Sequence, residues 1–325
     1  MLNYSVTIRT LGKAGDKYVQ TIKSIEAQNI KPKEIIVIID DEKQISQLYK
    51  CGLERFVVKP QGMVKQRLFG IAENKSDWLL MLDDDVKFGP LFVNHLYDTA
   101  IKAKSDVVIP IVKQASNGEH NNGIIRNFVN NLMGIGCKGN IGNYYIKIMK
   151  TGGFCINNRL DHDKQYYSQS GHGTCCFANT HALDNLHFEE ELWLEHTPYS
   201  LPDDQVMFYK FFCKGFNIAV NLEENFYHLD AQSSQPKADK ILKLAYASAH
   251  NGYIFWHRFI YLRTKGFDRL SCLFALWRRE LFVKLFAFLK GIVKCDMSKF
   301  RIYCKAYSDA RKFVRSDNYK ILPKI

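Results

Sequence analysis

Apolar residues fall into two alternating rhythms over roughly the first 90 positions. "SVTIRT" (Ser5 to Thr10) is a short β-rich run. "GDKYVQTIKSIEAQ" (Gly15 to Gln28) then sets Tyr18, Val19, Ile22 and Ile25 at helical spacing. "KEIIVIIDD" (Lys33 to Asp41) is a continuous β-branched run, the pattern of a strand buried on both faces. A second helix-like segment, "DEKQISQLYKCG", closes at Gly52, and "RFVVK" (Arg55 to Lys59) reads as a third strand. "VKQRLFGIAENK" (Val64 to Lys75) predicts another helix, leading into "DWLLMLDDD" (Asp77 to Asp85). Strands alternating with amphipathic helices predict a mostly parallel α/β sheet flanked by helices.

Two of these strands end in acid. In open α/β sheets ligands bind beyond the carboxyl ends of the strands, so Asp40-Asp41 and Asp83-Asp84-Asp85 are expected to line one crevice. Turns also use Asp, an alternative that weighs more for Asp40 and Asp41 than for three carboxylates following five apolar residues. Alternate residues of an extended segment point the same way, so Asp83 and Asp85 are expected to converge while Asp84 points away. Adjacent like charges repel, and a divalent cation relieves that repulsion. Hard oxygen ligands suit Mg2+ or Mn2+, which keep positions open for phosphate oxygens. Such an ion also neutralises a diphosphate leaving group, so the spacing fits sugar-nucleotide chemistry.

Charge changes the picture at one end. The chain of 325 residues carries a net +12, yet the excess is all in the tail. Residues 241–325 hold 18 Lys and Arg against 5 Asp and Glu, while residues 1–240 hold 27 against 28. The expected organisation is therefore a neutral catalytic body over 1–240 and a basic helical region over 241–325. With 46% hydrophobic residues the chain can bury a substantial core. The 9 cysteines contain no C-x-x-C pair, which argues against zinc and disulfide frameworks. They are expected to be reduced, mostly buried thiols in a cytoplasmic protein. "MLNYSVTIRT" lacks the basic start and apolar run of a leader, and no uncharged apolar stretch is long enough to span a bilayer.

Two registers point further. Arg67 is followed by Gly70 and Ile71, with Asp83 sixteen positions after the Arg. "PDDQVMFYKFFCKGFNIAVNLEENFYHLD" then sets Gly215 eleven and His228 twenty-four positions after Asp204. In these intervals the chain, over about residues 3–235, resembles a family-2 glycosyltransferase with a GT-A fold. The resemblance implies an inverting transfer from a nucleotide-sugar donor (UDP- or GDP-sugar) to a glycan or lipid-linked acceptor in surface polysaccharide synthesis. It implies Thr10, Asp40, Arg67, Asp83 and Asp84 on the donor side, and Asp85, Asp83 and His228 around the metal. Asp204 would be the general base, with Asp203 next in line. Departures are "DDEKQ" where the family usually has Asp-Asp-Gly-Ser, and "RTL" where Pro-Thr-Tyr is common. The plainer alternative for "PDDQ" is a helix start with Asp203 as its cap.

Residues 113–170, rich in Gly and Asn, read as an insertion on the acceptor side. The resemblance implies that Glu189 to Glu191 approach the acceptor. His172 and Cys175 are expected to be structural. Over "RRELFVKLFAFLKGIVK" (Arg278 to Lys294), Leu281, Phe282, Leu285, Phe288, Leu289 and Ile292 share one helical arc. Arg279, Glu280, Lys284, Lys290 and Lys294 share the other. This predicts peripheral contact with an anionic membrane at the inner face of the cell, or else packing of the apolar arc onto the body. A nucleotidyltransferase would show a Gly-rich phosphate loop after the first strand, and "RTLGKAGDK" is a poor one. A non-enzymatic nucleic-acid-binding protein would use exposed aromatics between basic residues, and no nucleic-acid partner is expected.

Overall fold

The computed structural model describes residues 2–114, 124–230 and 238–325. β1 (Tyr4–Thr10), β2 (Ile35–Ile39), β3 (Glu54–Val58) and β4 (Trp78–Asp83) run parallel in the order β3-β2-β1-β4. All five residues of β2 are buried, as its unbroken β-branched run requires. The helices α1 (Asp16–Glu26) and α2 (Met63–Glu73) connect these strands and cover opposite faces of the sheet. Tyr18, Ile22 and Ile25 of α1 pack with Tyr4, Val6 and Ile8 on one side, and Val64 of α2 packs with Leu79 and Met81 on the other. Each such buried side chain contributes about 1.5–3 kcal/mol.

Beyond β4, β5 (Val86–Lys87) and α3 (Phe92–Ala103) lead to β6 (Val107–Gln114). α4 (Ile124–Met133) precedes three short strands, β7 (Gly136–Gly139), β8 (Ile146–Ile148) and β9 (Phe154–Asn157), which form a separate small sheet ordered β7-β9-β8. β10 (Tyr166–Tyr167), β11 (Cys175–Asn179), α5 (Thr180–Leu186), α6 (Asp203–Cys213) and β12 (Ile218–His228) complete the large sheet, ordered β10-β12-β6-β11-β4-β1-β2-β3 with β5 on β12. β11 runs antiparallel between β4 and β6; β12 is again parallel to β6. The result is the expected mostly parallel α/β sheet.

Three local expectations change. Positions 42–47 form a short 3-10 turn rather than an α-helix, started by Asp41 accepting from Lys43 N and ended by extended Leu48. The Gly- and Asn-rich segment carries α4 and a small sheet of its own, and its positions 115–123 lie outside the described residues. The cysteines are all free, but only Cys175, Cys176 and Cys272 are buried; Cys295 is exposed and the rest are half-buried.

The C-terminal region is helical: α7 (Ala238–Phe255), a π-helical turn over Trp256–Tyr261, α8 (Gly266–Lys294), α9 (Ser298–Phe313) and α10 (Asp317–Lys320). A buried ion cluster fastens it to the body. Glu191, fully buried, accepts from Lys210 Nζ at 2.8 Å, from Arg258 Nε at 3.0 Å and from Trp193 Nε1 at 2.6 Å. Lys210 also reaches Glu190 at 2.8 Å, and Arg258 Nη1 donates to Pro323 O at 2.7 Å. Glu190 and Glu191 therefore hold the tail in place. α8 docks through Cys272, Leu276 and Val283 together with two members of the polar arc: Arg279 donates to Thr151 O at 2.8 Å, and Glu280 pairs with Arg311 of α9 and with Lys284 of its own helix. Of the apolar arc, Leu281, Leu285, Leu289 and Ile292 are exposed, Phe282 is half-buried, and the Phe288 ring meets Phe300 of α9 edge-on at 5.4 Å. Among the described residues no helix is long and apolar enough to cross a membrane.

Candidate active site

The three consecutive aspartates receive three different partners. Parallel register sets Arg9 of β1 opposite Asp83 of β4, and Arg9 Nη2 donates to Asp83 Oδ1 at 2.6 Å. Thr10 Oγ1 donates to Asp84 Oδ2 at 2.5 Å and accepts from Gly12 N at 2.9 Å. The β5–β12 pairing places His228 opposite Val86, so its Nε2 comes 3.3 Å from Asp85 Oδ2. Asp84 thus turns to the β1 side, while the charges of Asp83 and Asp85 both bear on His172 and His228. Burial, together with its acidic neighbours Asp83 and Asp85, pushes the Asp84 carboxyl up to about 6 against the Thr10 bond. The bond to Asp85 raises His228 despite its burial, and its Nδ1 is buried with no hydrogen-bond partner among the described residues.

A second group of charges enters from the start of α6. Asp203 is its first helical residue, after Pro202, and caps nothing. Its carboxylate instead takes Arg67 Nε at 2.9 Å, with Arg9 Nη1 4.0 Å away. Arg67 is 3% exposed and also donates to Gly173 O at 3.4 Å. Burial opposes its charge, but the carboxylates of Asp203, Asp83 and Asp204 outweigh that and hold its pKa up. Arg67 therefore lies beneath the rim and orients it. Among the described residues Asp204 forms no ion pair, although the Arg67 charge acts on it; its Oδ1 accepts from Gln205 N at 2.7 Å. Loss of solvent, then the charge of Asp203, pushes its carboxyl up to about 6. Gly173 permits this crowding: a Cβ there would meet Arg67 Nη2 at 2.8 Å and Asp204 Cβ at 3.1 Å.

Asp40 stands half-buried just beyond β2, whose last residue Ile39 is level with Thr10. The structure therefore gathers Thr10, Arg67, Asp83, Asp84, Asp85, Asp203, Asp204 and His228 by direct contacts or shared charges, with Asp40 at the neighbouring strand end. Two further residues enter that the sequence did not single out for the site. Arg9 bridges the two acidic groups, and only the β1–β4 register betrays it. His172 bonds Thr174 Oγ1 at 3.1 Å and its ring centre lies 5.6 Å from that of His228. Burial, then the nearby His228, lowers the His172 pKa. An open cleft of about 670 Å3 adjoins the rim, with Leu11, Met63, Tyr199, Ser200 and Lys240 among its walls.

Among the described residues, no three His, Cys, Asp or Glu side chains are arranged to hold a metal. The donor chemistry nevertheless fits one. Asp85 offers oxygen and His228 an imidazole nitrogen; Asp83 is close enough for its charge to bear on both histidines. Oxygen donors with one imidazole suit Mn2+ or Mg2+ when a substrate supplies the remaining ligands.

The model of the family "Glycosyl transferase family 2" matches residues 6–178. No curated protein matches. Among solved structures, GalNAc-T7 with UDP, GalNAc and Mn2+ is similar at 13% identity and a TM-score of 0.53, covering 90% of this chain and 57% of its own. The chain thus spans a little over half the length of that protein. TarS 1-349 of S. aureus in complex with UDP-GlcNAc aligns at 14% identity and a TM-score of 0.48, over 96% of this chain and 92% of its own. The matched segment holds β1 to β4, with the acidic ends of β2 and β4, together with most of β11, which borders β4. The chain belongs to glycosyl transferase family 2 and is a glycosyltransferase.

Proposed function

We propose that the chain transfers a sugar, with inversion, from a UDP- or GDP-sugar to a hydroxyl of a glycan or lipid-linked acceptor during surface polysaccharide synthesis. We place this chemistry in residues 1–240. The observation that carries the reading is the unequal fate of two adjacent carboxylates. Asp203 is neutralised by Arg67, whereas Asp204 forms no ion pair among the described residues and is pushed up to about 6. A carboxylate with a raised pKa and no cation is the better proton acceptor. Asp204 takes the proton of the acceptor hydroxyl as that oxygen attacks the anomeric carbon. Asp203, held by Arg67, fixes the start of α6 and keeps Asp204 aimed. Thr10, Asp40 and Asp84 stand at the strand ends where the nucleoside would rest, with Asp83 beside them.

Asp85 and His228, with Asp83, would hold Mn2+ or Mg2+, whose charge would stabilise the departing nucleoside diphosphate. The UDP and Mn2+ bound to the similar GalNAc-T7 support this reading. Attachment at the inner face of an anionic membrane accompanies a lipid-linked acceptor. The test is a panel of nucleotide sugars with and without Mn2+, read by release of nucleoside diphosphate. Metal-dependent release that disappears in Asp85→Ala is expected; full activity of that variant removes the metal from the reading.

A further inference from the structure

The C-terminal region encloses an open cavity of about 480 Å3 between the π-helical turn, the start of α8 and the segment 319–325. Its size lies within the range of about 300–1,000 Å3 that small-molecule sites occupy. It shares no residue with the acidic rim or with the cleft beside that rim. Arg258, Arg269, Lys320 and Lys324 line it, and none of its walls is an Asp or Glu side chain. Leu262, Val314 and Leu322 supply apolar surface between the cations.

These four cations are unequally satisfied. Arg258 belongs to the buried ion cluster, where Glu190 and Glu191 meet it. Lys320 pairs with Asp317 at 3.0 Å, but the Asp317 side chain is 94% exposed and such a surface contact is weak. Among the described residues neither Arg269 nor Lys324 forms an ion pair, with the carboxylate at Ile325 or with any other. Arg269 is the less satisfied of the two, since its Nε is buried with no hydrogen-bond partner among the described residues. Its guanidinium lies over the Tyr261 ring, 4.5 Å from the centroid, a contact that holds the group in place and leaves its N–H donors idle. Burial, then the charge of Arg269, lowers the neighbouring His257 to about 4. That ring therefore stays neutral, and its Nδ1 shares a hydrogen bond of 2.7 Å with the Tyr319 hydroxyl. The positive charge of Arg269 is felt along the cavity wall and is met there by no acidic side chain.

A part-buried guanidinium with idle donors calls for an oxyanion. A carboxylate would bring one negative charge, whereas a phosphate monoester brings about 1.5–2, enough to answer both Arg269 and Lys324. The planar fork of Arg also matches two oxygens of one phosphate. We infer that this cavity binds a phosphate monoester, its oxygens on Arg269 and Lys324 and its organic part against Leu262, Val314 and Leu322. The ester is either a soluble metabolite or the headgroup of a lipid, and the same two cations serve both. The site is separate from the acidic rim and holds whether or not the transfer reading does.

The test is isothermal titration calorimetry of the full chain, without sugar nucleotide or metal, against glycerol phosphate, dihexanoyl phosphatidic acid and acetate. The better of the two esters is expected to bind at least about tenfold more tightly than acetate. Tighter binding of dihexanoyl phosphatidic acid assigns the site to a lipid headgroup; equal or tighter binding of glycerol phosphate assigns it to a soluble ester. Arg269→Gln should weaken the ester by about tenfold or more, and Lys324→Gln by several-fold. Lys324 is exposed and the Arg269 guanidinium donates to no described residue, so circular dichroism should be unchanged in both variants. Wild-type protein that binds neither ester overturns the proposal, as does Arg269→Gln binding undiminished. Acetate binding as tightly as the better ester equally overturns it. Asp85→Ala should bind the ester like wild type, so failure of the transfer reading and failure of this one are told apart.

Discussion

Among the described residues, the charge cluster around Glu191 and the one around Asp83 to Asp85 are compensated differently. In the first, Glu190 and Glu191 face Lys210 and Arg258, with the Trp193 indole N–H filling a remaining acceptor position. Acids and bases balance, and the cluster is closed. In the second, Asp83, Asp84, Asp85, Asp203 and Asp204 share Arg9, Arg67 and His228. Acids exceed bases, and the excess is visible in Asp84 and Asp204, both pushed up to about 6. Balanced buried charge fastens helices; unbalanced charge beside a cleft is left ready for a cation and a proton.

The contrast can be broken from either side. The largest effect is expected at Asp204: Asp204→Asn should lower transfer by about 10^3-fold, within the range of a lost general base, while a thermal shift with nucleotide sugar is kept. Unchanged transfer would hand the base to Asp203. In the closed cluster, Arg258→Met should cost about 3–5 kcal/mol in urea unfolding, because it leaves the two carboxylates Glu190 and Glu191 with the single cation of Lys210. Activity per folded molecule should hardly move. A smaller change separates the two kinds of carboxylate by pH. Asp204 accepts a proton only when ionised, so kcat/KM should be level above about 6. Below that it should fall about tenfold per pH unit, a limb missing from Asp204→Asn. The subtlest is Arg9→Met, which frees Asp83 and should tighten Mn2+ binding by a few-fold in a metal titration. Weaker binding would mean that Arg9 serves the metal site instead of opposing it.

The first four strands were legible because unbroken or alternating apolar runs leave few alternatives. Ile35 to Ile39 could be nothing but an interior strand. The acidic strand ends were equally visible, since charge after a buried run needs a reason. What escaped depends on partners distant in sequence. Arg9 and Asp83 are 74 positions apart and meet through the sheet alone. The small sheet of β7, β8 and β9 uses strands of three or four residues, too short for a period-two signal. The segment at 42–47 carries helix-forming residues but no apolar stripe to dock, so it stops after a short turn. The amphipathicity of α8 was readable, though not which side would meet the body; that was decided by Thr151 and Arg311, contributed from elsewhere in the chain.

The Arg9–Asp83 pairing has a further effect on how β1 and β4 settle against each other. A one-position slide between them would bring Arg9 level with Leu82 or with Asp84, losing the matched ion pair and turning inward-facing side chains outward. One electrostatic contact therefore fixes strand alignment and shapes the reactive rim together. Any variant that relocates this arginine must recover both at once.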